Sequence, residues 1–188
     1  MSQKIKTITI YASASSRISP LYFEAAGNLG KLLAEHAITC VNGGGIRGLM
    51  AEVTDAVLKN GGNVCGVIPQ FMYDKGWLHP LIKEVIVTPD MHTRKQTMAN
   101  KSDACIALPG GVGTLEELLE IITWKQLGLY RNPIVILNTA GYYDPLLAML
   151  EKANKENFIH SESTVWQTAT TPEEAINLIF SQVQSEKE

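Results

Sequence analysis

Cysteine and net charge are both scarce in this chain. Cys40, Cys65 and Cys105 are odd in number, widely spaced and each set in an apolar run. No pair has the spacing of a metal clip or of a disulfide framework, so the three read as buried, reduced thiols. The 16 basic and 19 acidic residues leave a net charge of −3. That balance gives no electrostatic footprint for nucleic acid or an anionic membrane surface. No apolar stretch reaches the roughly 18 residues a membrane-spanning helix needs. The first residues, Met-Ser-Gln-Lys-Ile-Lys, lead into a strand pattern without the apolar core of a signal peptide, and a cytoplasmic location is expected. Low-complexity linkers and internal repeats are also missing, so a single domain over 1–188 is expected.

What the chain does have is alternation. Apolar, β-branched runs at 5–12, 38–41, 63–68, 84–87, 104–108, 134–137 and 165–168 are separated by helical patterns near 19–35, 47–59, 91–101, 113–127, 144–156 and 172–183. This order predicts an α/β fold: a parallel sheet of about seven strands with helices on both faces. Asp144-Pro145 and Thr171-Pro172-Glu173-Glu174 read as helix starts, with Asp144 as an N-cap. Asn60-Gly61-Gly62 reads as a helix stop, and 184–188 as a solvated tail.

Residues 103–120 carry the most information. An apolar run ends at Pro109; Gly110, Gly111 and Gly113 follow, then Thr114 and a helical pattern. A strand running through a glycine-rich turn into a helix N-terminus makes a phosphate site, because bare amides and the helix dipole meet there. Leu115, Leu118, Leu119 and Ile122 recur at helical spacing and predict the buried stripe. Glu117 then falls on the opposite side, on the flank of Thr114. A carboxylate one turn from a phosphate cradle points to chemistry on the rest of the ligand.

Three more loops should reach the same edge of the sheet. Ser13, Ser15 and Ser16 follow the first strand and offer hydroxyls to a phosphate, ribose or base. Gly43, Gly44 and Gly45 follow the second and leave backbone open to a ligand. Neither glycine loop is a Walker A or a first-strand dinucleotide fingerprint, which argues against triphosphate hydrolysis. In the third loop, Met91, Arg94, Lys95 and Met98 share one helical side. Cations are disfavoured at a helix N-terminus, so Arg94 or Lys95 should have a partner. Arg94 could grip a phosphate or pair with Glu117; His92 could cap the helix or act as a base. Glu120 is either a second carboxylate or a solvated surface acid.

Pro109-Gly110-Gly111-Val112-Gly113-Thr114-Leu115-Glu116-Glu117 resembles the P-G-G-x-G-T-x-x-E motif of the LOG (Lonely Guy) family, often labelled "possible lysine decarboxylase". Asp90-Met91-His92-Thr93-Arg94-Lys95 is similar to its D-M-H-x-R-K segment, and Gly43-Gly44-Gly45, Gly48-Leu49-Met50 and Gly141-Tyr142-Tyr143 also look familial. The resemblance covers roughly residues 5–160. It implies a Rossmann-like three-layer fold, no metal or organic cofactor, and hydrolysis of a nucleoside 5′-monophosphate to free base and ribose 5-phosphate. The base would be adenine or an N6-modified adenine of the cytokinin type. Arg94 and Glu117 would be the catalytic pair, and 110–114 would hold the 5′-phosphate. The full set of expected substrate contacts is Gly43, Gly44, Gly45, Met91, Lys95, Gly110, Gly111, Val112, Gly113, Thr114, Ser13 and Glu120. Two loops depart from the family pattern: Ala12-Ser13-Ala14-Ser15, and Gly45-Ile46-Arg47-Gly48 with its added charge.

Ile121 and Trp124 lie on the Glu117 side of the wheel and suggest a subunit interface; the resemblance likewise implies a homodimer or larger homo-oligomer. The competing readings are a non-catalytic nucleotide sensor on the same fold, a decarboxylase and a DNA-binding protein. Pure binding needs no acid beside the cradle. Lys95 and Lys125 lack the setting of a Schiff-base lysine.

Overall fold

The computed structural model describes residues 5–159 and 165–185. Among them, β1 (Thr7–Tyr11), β2 (Thr39–Asn42), β3 (Val64–Pro69), β4 (Glu84–Thr88), β5 (Ala104–Ala107), β6 (Ile134–Leu137) and β7 (Gln167–Ala169) form one sheet. Every pairing is parallel, in the order β4-β3-β2-β1-β5-β6-β7. The chain winds outward from β1 to β4, then returns to the other side of β1 for β5. That reversal opens a crevice at the carboxyl ends of β1 and β5, where open α/β sheets take their ligands.

The helices are α1 (Pro20–Glu35), α2 (Gly48–Lys59), α3 (Gln70–Asp74), α4 (Met91–Asn100), α5 (Val112–Gln126), α6 (Asp144–Lys155) and α7 (Pro172–Ser185). Strand side chains alternate between two cores. Ile8 and Ile10 meet Leu29 and Leu33 of α1, Val53 and Val57 of α2 and Ile176 and Ile179 of α7. Tyr11, Cys105 and Ile136 meet Met98 of α4, Leu118 and Ile122 of α5 and, at the margin, Leu146 and Leu147 of α6. This is the expected three-layer, Rossmann-like architecture. All three cysteines are free and buried.

Helix punctuation matches in two places and differs in one. Gly61 takes φ +74° as α2 ends, and Gly62 N–H donates to Val57 O. Thr171 Oγ1 accepts from Glu174 N–H at 3.2 Å, capping α7. Asp144, by contrast, is the first helical residue of α6, not its cap; the cap position is Tyr143, and Asp144 Oδ1 accepts from Asn138 Nδ2 instead. Helix α7 runs to Ser185, into the segment read as a tail; 186–188 lie outside the described residues.

Candidate active site

Helix α5 is buried along a different stripe from the one expected. Leu118 and Ile122 are buried, but Leu119 is 39 % exposed and Ile121 is buried. The buried face is Thr114, Glu117, Leu118, Ile121 and Ile122. Thr114 and Glu117 do share a flank, and that flank faces inward. Ile121 therefore packs in this chain's own core, and Trp124 lies partly buried against it. The interface suggested from those two residues loses its basis.

Glu117 can sit inside because a cation meets it. Arg94, also buried, donates from NH1 to Glu117 Oε1 at 3.0 Å, and from Nε to Val67 O at 3.0 Å. Of the two roles open to Arg94, the structure places it on Glu117. Burial pushes the Glu117 carboxyl above its ordinary value; the Arg94 charge pulls it back, and Glu116 pushes it up again.

Gly43 explains how the guanidinium fits. A Cβ there would overlap Arg94 NH2. The neighbouring glycines also make room for the protein itself. Gly44 has φ +69° and lies under Leu78, and Gly45 faces the Met50 sulfur. The loop is held by Asn42, whose Oδ1 accepts from Gly44 N–H at 2.8 Å and whose Nδ2 donates to Thr54. The glycine spacing alone does not point to this role for Asn42. Beside Arg94 opens a cleft of about 370 Å³, lined by Gly43, Gly45, Met50, Ile68, Met72 and Trp77, with Arg47 on its wall.

Lys95 and Glu120 were expected to face substrate, and the structure ties them together. Lys95, buried, is paired with Glu116 and, at 3.0 Å, with Glu120. Burial pulls its ammonium down, but the hydrogen bonds it donates to Glu116 and Glu120 outweigh this and hold the pKa above the ordinary value. Glu120 is thus neither a free second carboxylate nor a solvated surface acid. Asp90, not His92, caps α4: its Oδ1 accepts from Thr93 N–H at 2.7 Å. Met91 at the same end is partly buried. Ser13 is buried, and its hydroxyl accepts from Ser15 N–H at 3.0 Å in a local turn.

The N-terminus of α5 has the opposite character. Gly111 is its cap residue, and no side chain caps it. The first backbone bond runs from Leu115 N–H to Gly111 O, so by helix geometry the amides of Val112, Gly113 and Thr114 precede any intrahelical acceptor. Gly111 and Gly113 are exposed, with nothing within 4 Å of where a Cβ would stand. Val112 is 84 % exposed, whereas Thr114 is buried against Gly110. The result is an open ring of amides at the positive end of a helix, about one turn from a buried carboxylate. Among the described residues, no group of three or more His, Cys, Asp or Glu could hold a metal ion.

Comparison with known proteins agrees with this geometry. The family model described as "Possible lysine decarboxylase" matches residues 50–179. The chain is 49 % identical over 156 residues to cytokinin riboside 5′-monophosphate phosphoribohydrolase LOG7 of Arabidopsis thaliana, covering 83 % of this chain and 72 % of that one. It is 44 % identical over 174 residues to the probable phosphoribohydrolase LOGL2 of Oryza sativa subsp. japonica, covering 92 % and 71 %. The molybdenum cofactor binding protein from Rippkaea orientalis superposes with a TM-score of 0.72 at 24 % identity, over 97 % of this chain and 99 % of that one, which shows a shared fold. With its motif, its fold and its relatives in agreement, the chain belongs to the LOG family, the family described as possible lysine decarboxylase.

Proposed function

We propose that this protein hydrolyses the N-glycosidic bond of a nucleoside 5′-monophosphate, AMP or an N6-modified AMP, to free base and ribose 5-phosphate. The observation that carries the reading is Glu117: a buried carboxylate, paired with Arg94, one turn beyond an uncapped glycine N-terminus. The relatives' names support it, since they are called cytokinin riboside 5′-monophosphate phosphoribohydrolases.

In this reading the phosphate docks on the amides of 111–114 and locates the sugar, so that remote binding energy serves the reaction. The ribose lies over the β1–β5 crevice. The base extends toward β2 and β3, into the cleft walled by Met50, Met72 and Trp77. As the C1′–N bond breaks, positive charge develops on the ribose. Glu117 stabilises that charge and accepts a proton from the water that forms the new C1′–O bond; the departing base takes up a proton from solvent. Arg94 keeps Glu117 ionised against its burial. The Lys95–Glu116–Glu120 set braces α4 to α5 beside that pair.

A sensor that only binds nucleotide would have no use for a buried acid next to its phosphate site. We also infer a homodimer or larger homo-oligomer, now on different residues: Val112, Leu119, Leu127 and Leu129 are apolar and exposed on and just after α5. Buried free thiols fit a reducing, cytoplasmic setting. Incubation with AMP tests the activity: adenine and ribose 5-phosphate should appear in equal amounts. Adenosine with inorganic phosphate, or intact AMP, would refute it.

A further inference from the structure

The motif Gly141-Tyr142-Tyr143 lies after β6, outside every step just described, yet both tyrosines reach the phosphate loop. Tyr142 Oη donates to Gly110 O at 2.7 Å, and Tyr143 Oη donates to Leu108 O at 2.6 Å. The segment that presents them is built tightly. Ala140 and Gly141 both take left-handed conformations, with φ +53° and +71°; side chains rarely adopt this region, so Ala140 is an outlier. Asn138 secures the turn by accepting from Tyr143 N–H at 2.7 Å and donating to Asp144 at 2.7 Å. Rings hold the sideways position of Tyr142, which meets Tyr22 and Tyr143 edge to face at centroid distances of 5.7 and 5.0 Å.

The peptide plane gives the hydroxyl its reach. Gly110 C=O and Gly111 N–H belong to one trans peptide and point in opposite directions. Anchoring that carbonyl on Tyr142 turns the Gly111 N–H away from Tyr142, and Gly111 itself is exposed. A glycine-rich turn is otherwise free to rotate this plane, because its residues lack side chains to resist. We infer that Tyr142 is a positioning residue for the anion cradle: it touches no substrate, and it fixes the amide that meets the 5′-phosphate. The inference rests on the phosphoribohydrolase reading above.

Tyr142→Phe tests it, since the ring contacts remain and only the hydroxyl is lost. KM for AMP and the inhibition constant of ribose 5-phosphate should both rise about five- to tenfold, the size of one net hydrogen bond. The inhibition constant of adenine, which lacks the phosphate, should stay within twofold, and kcat should move less than KM. A merely structural hydroxyl would lower Tm and weaken adenine and ribose 5-phosphate alike, overturning the inference. Unchanged ribose 5-phosphate inhibition would overturn it too. If wild-type protein neither cleaves AMP nor binds ribose 5-phosphate, the proposed function falls first and takes this inference with it.

Discussion

The chain has two glycine-rich loops, and they use glycine for opposite ends. After β2, the missing side chains of Gly43, Gly44 and Gly45 are replaced by Arg94, Leu78 and Met50 from elsewhere in the chain. After β5, Gly110 likewise makes room for Thr114, but no protein atom stands opposite the missing side chains of Gly111 and Gly113. The first loop makes room for the guanidinium of Arg94, and the second stays open on the side where the proposed phosphate would dock. Glycine spacing alone does not separate these cases; what stands opposite each absent Cβ does.

The strongest way to probe the difference is to remove what lies between the loops. Glu117→Gln keeps the shape and deletes the charge, and kcat for AMP should fall on the order of 10²-fold or more. Gly43→Ala should come next, although that residue takes no part in the chemistry. Its methyl group would overlap one end of the guanidinium, so Arg94 must shift and its contact with Glu117 is disturbed. A loss of roughly tenfold to 10²-fold in kcat is expected, on the scale of misplacing a catalytic group by about 1 Å. Full activity in Gly43→Ala would erase the distinction between the loops.

Gly111→Ala should behave differently. Its backbone, φ −86° and ψ −156°, suits alanine, and the methyl meets no protein atom. The fold should be kept, with Tm within a few degrees, while KM for AMP rises about tenfold because the methyl crowds the anion.

The pH profile sharpens the account of the pair. The proposed mechanism requires ionised Glu117, whose carboxyl is raised above 4.5 by burial, against the pull of Arg94. The acidic limb of kcat/KM should therefore lie above pH 4.5, with rate lost as pH falls through it, and should move higher still in Arg94→Leu. The smallest expected effect is Asp90→Ala, which removes the α4 cap. Calorimetry should find Tm lowered by a few degrees, with little change in kcat.

The layered fold and the pairing of strand, glycine turn and helix were readable from hydrophobic period and punctuation. The inward turn of Glu117 was not. The sequence offers an Arg94–Glu117 pair only as one of two roles for Arg94. A wheel that ranks Leu119 as core and sets Glu117 on the opposite side treats one helix at a time, and does not register that this pair, 23 residues apart, lets the acid replace a leucine inside. The tie between Lys95 and Glu120 escaped for the same reason: the partners lie on different helices. The short α3 has no buried residue, hence no apolar stripe to betray it. The tyrosine contacts to the phosphate loop depend on a left-handed Ala140, a conformation composition gives no reason to expect.

A crystal structure with ribose 5-phosphate addresses the central claim most directly. The phosphoryl group should lie on the amides of 111–114, with the anomeric carbon facing the Glu117 carboxylate. A phosphoryl group bound at Arg47 in the β2 cleft, with the α5 N-terminus left to solvent, would contradict the account.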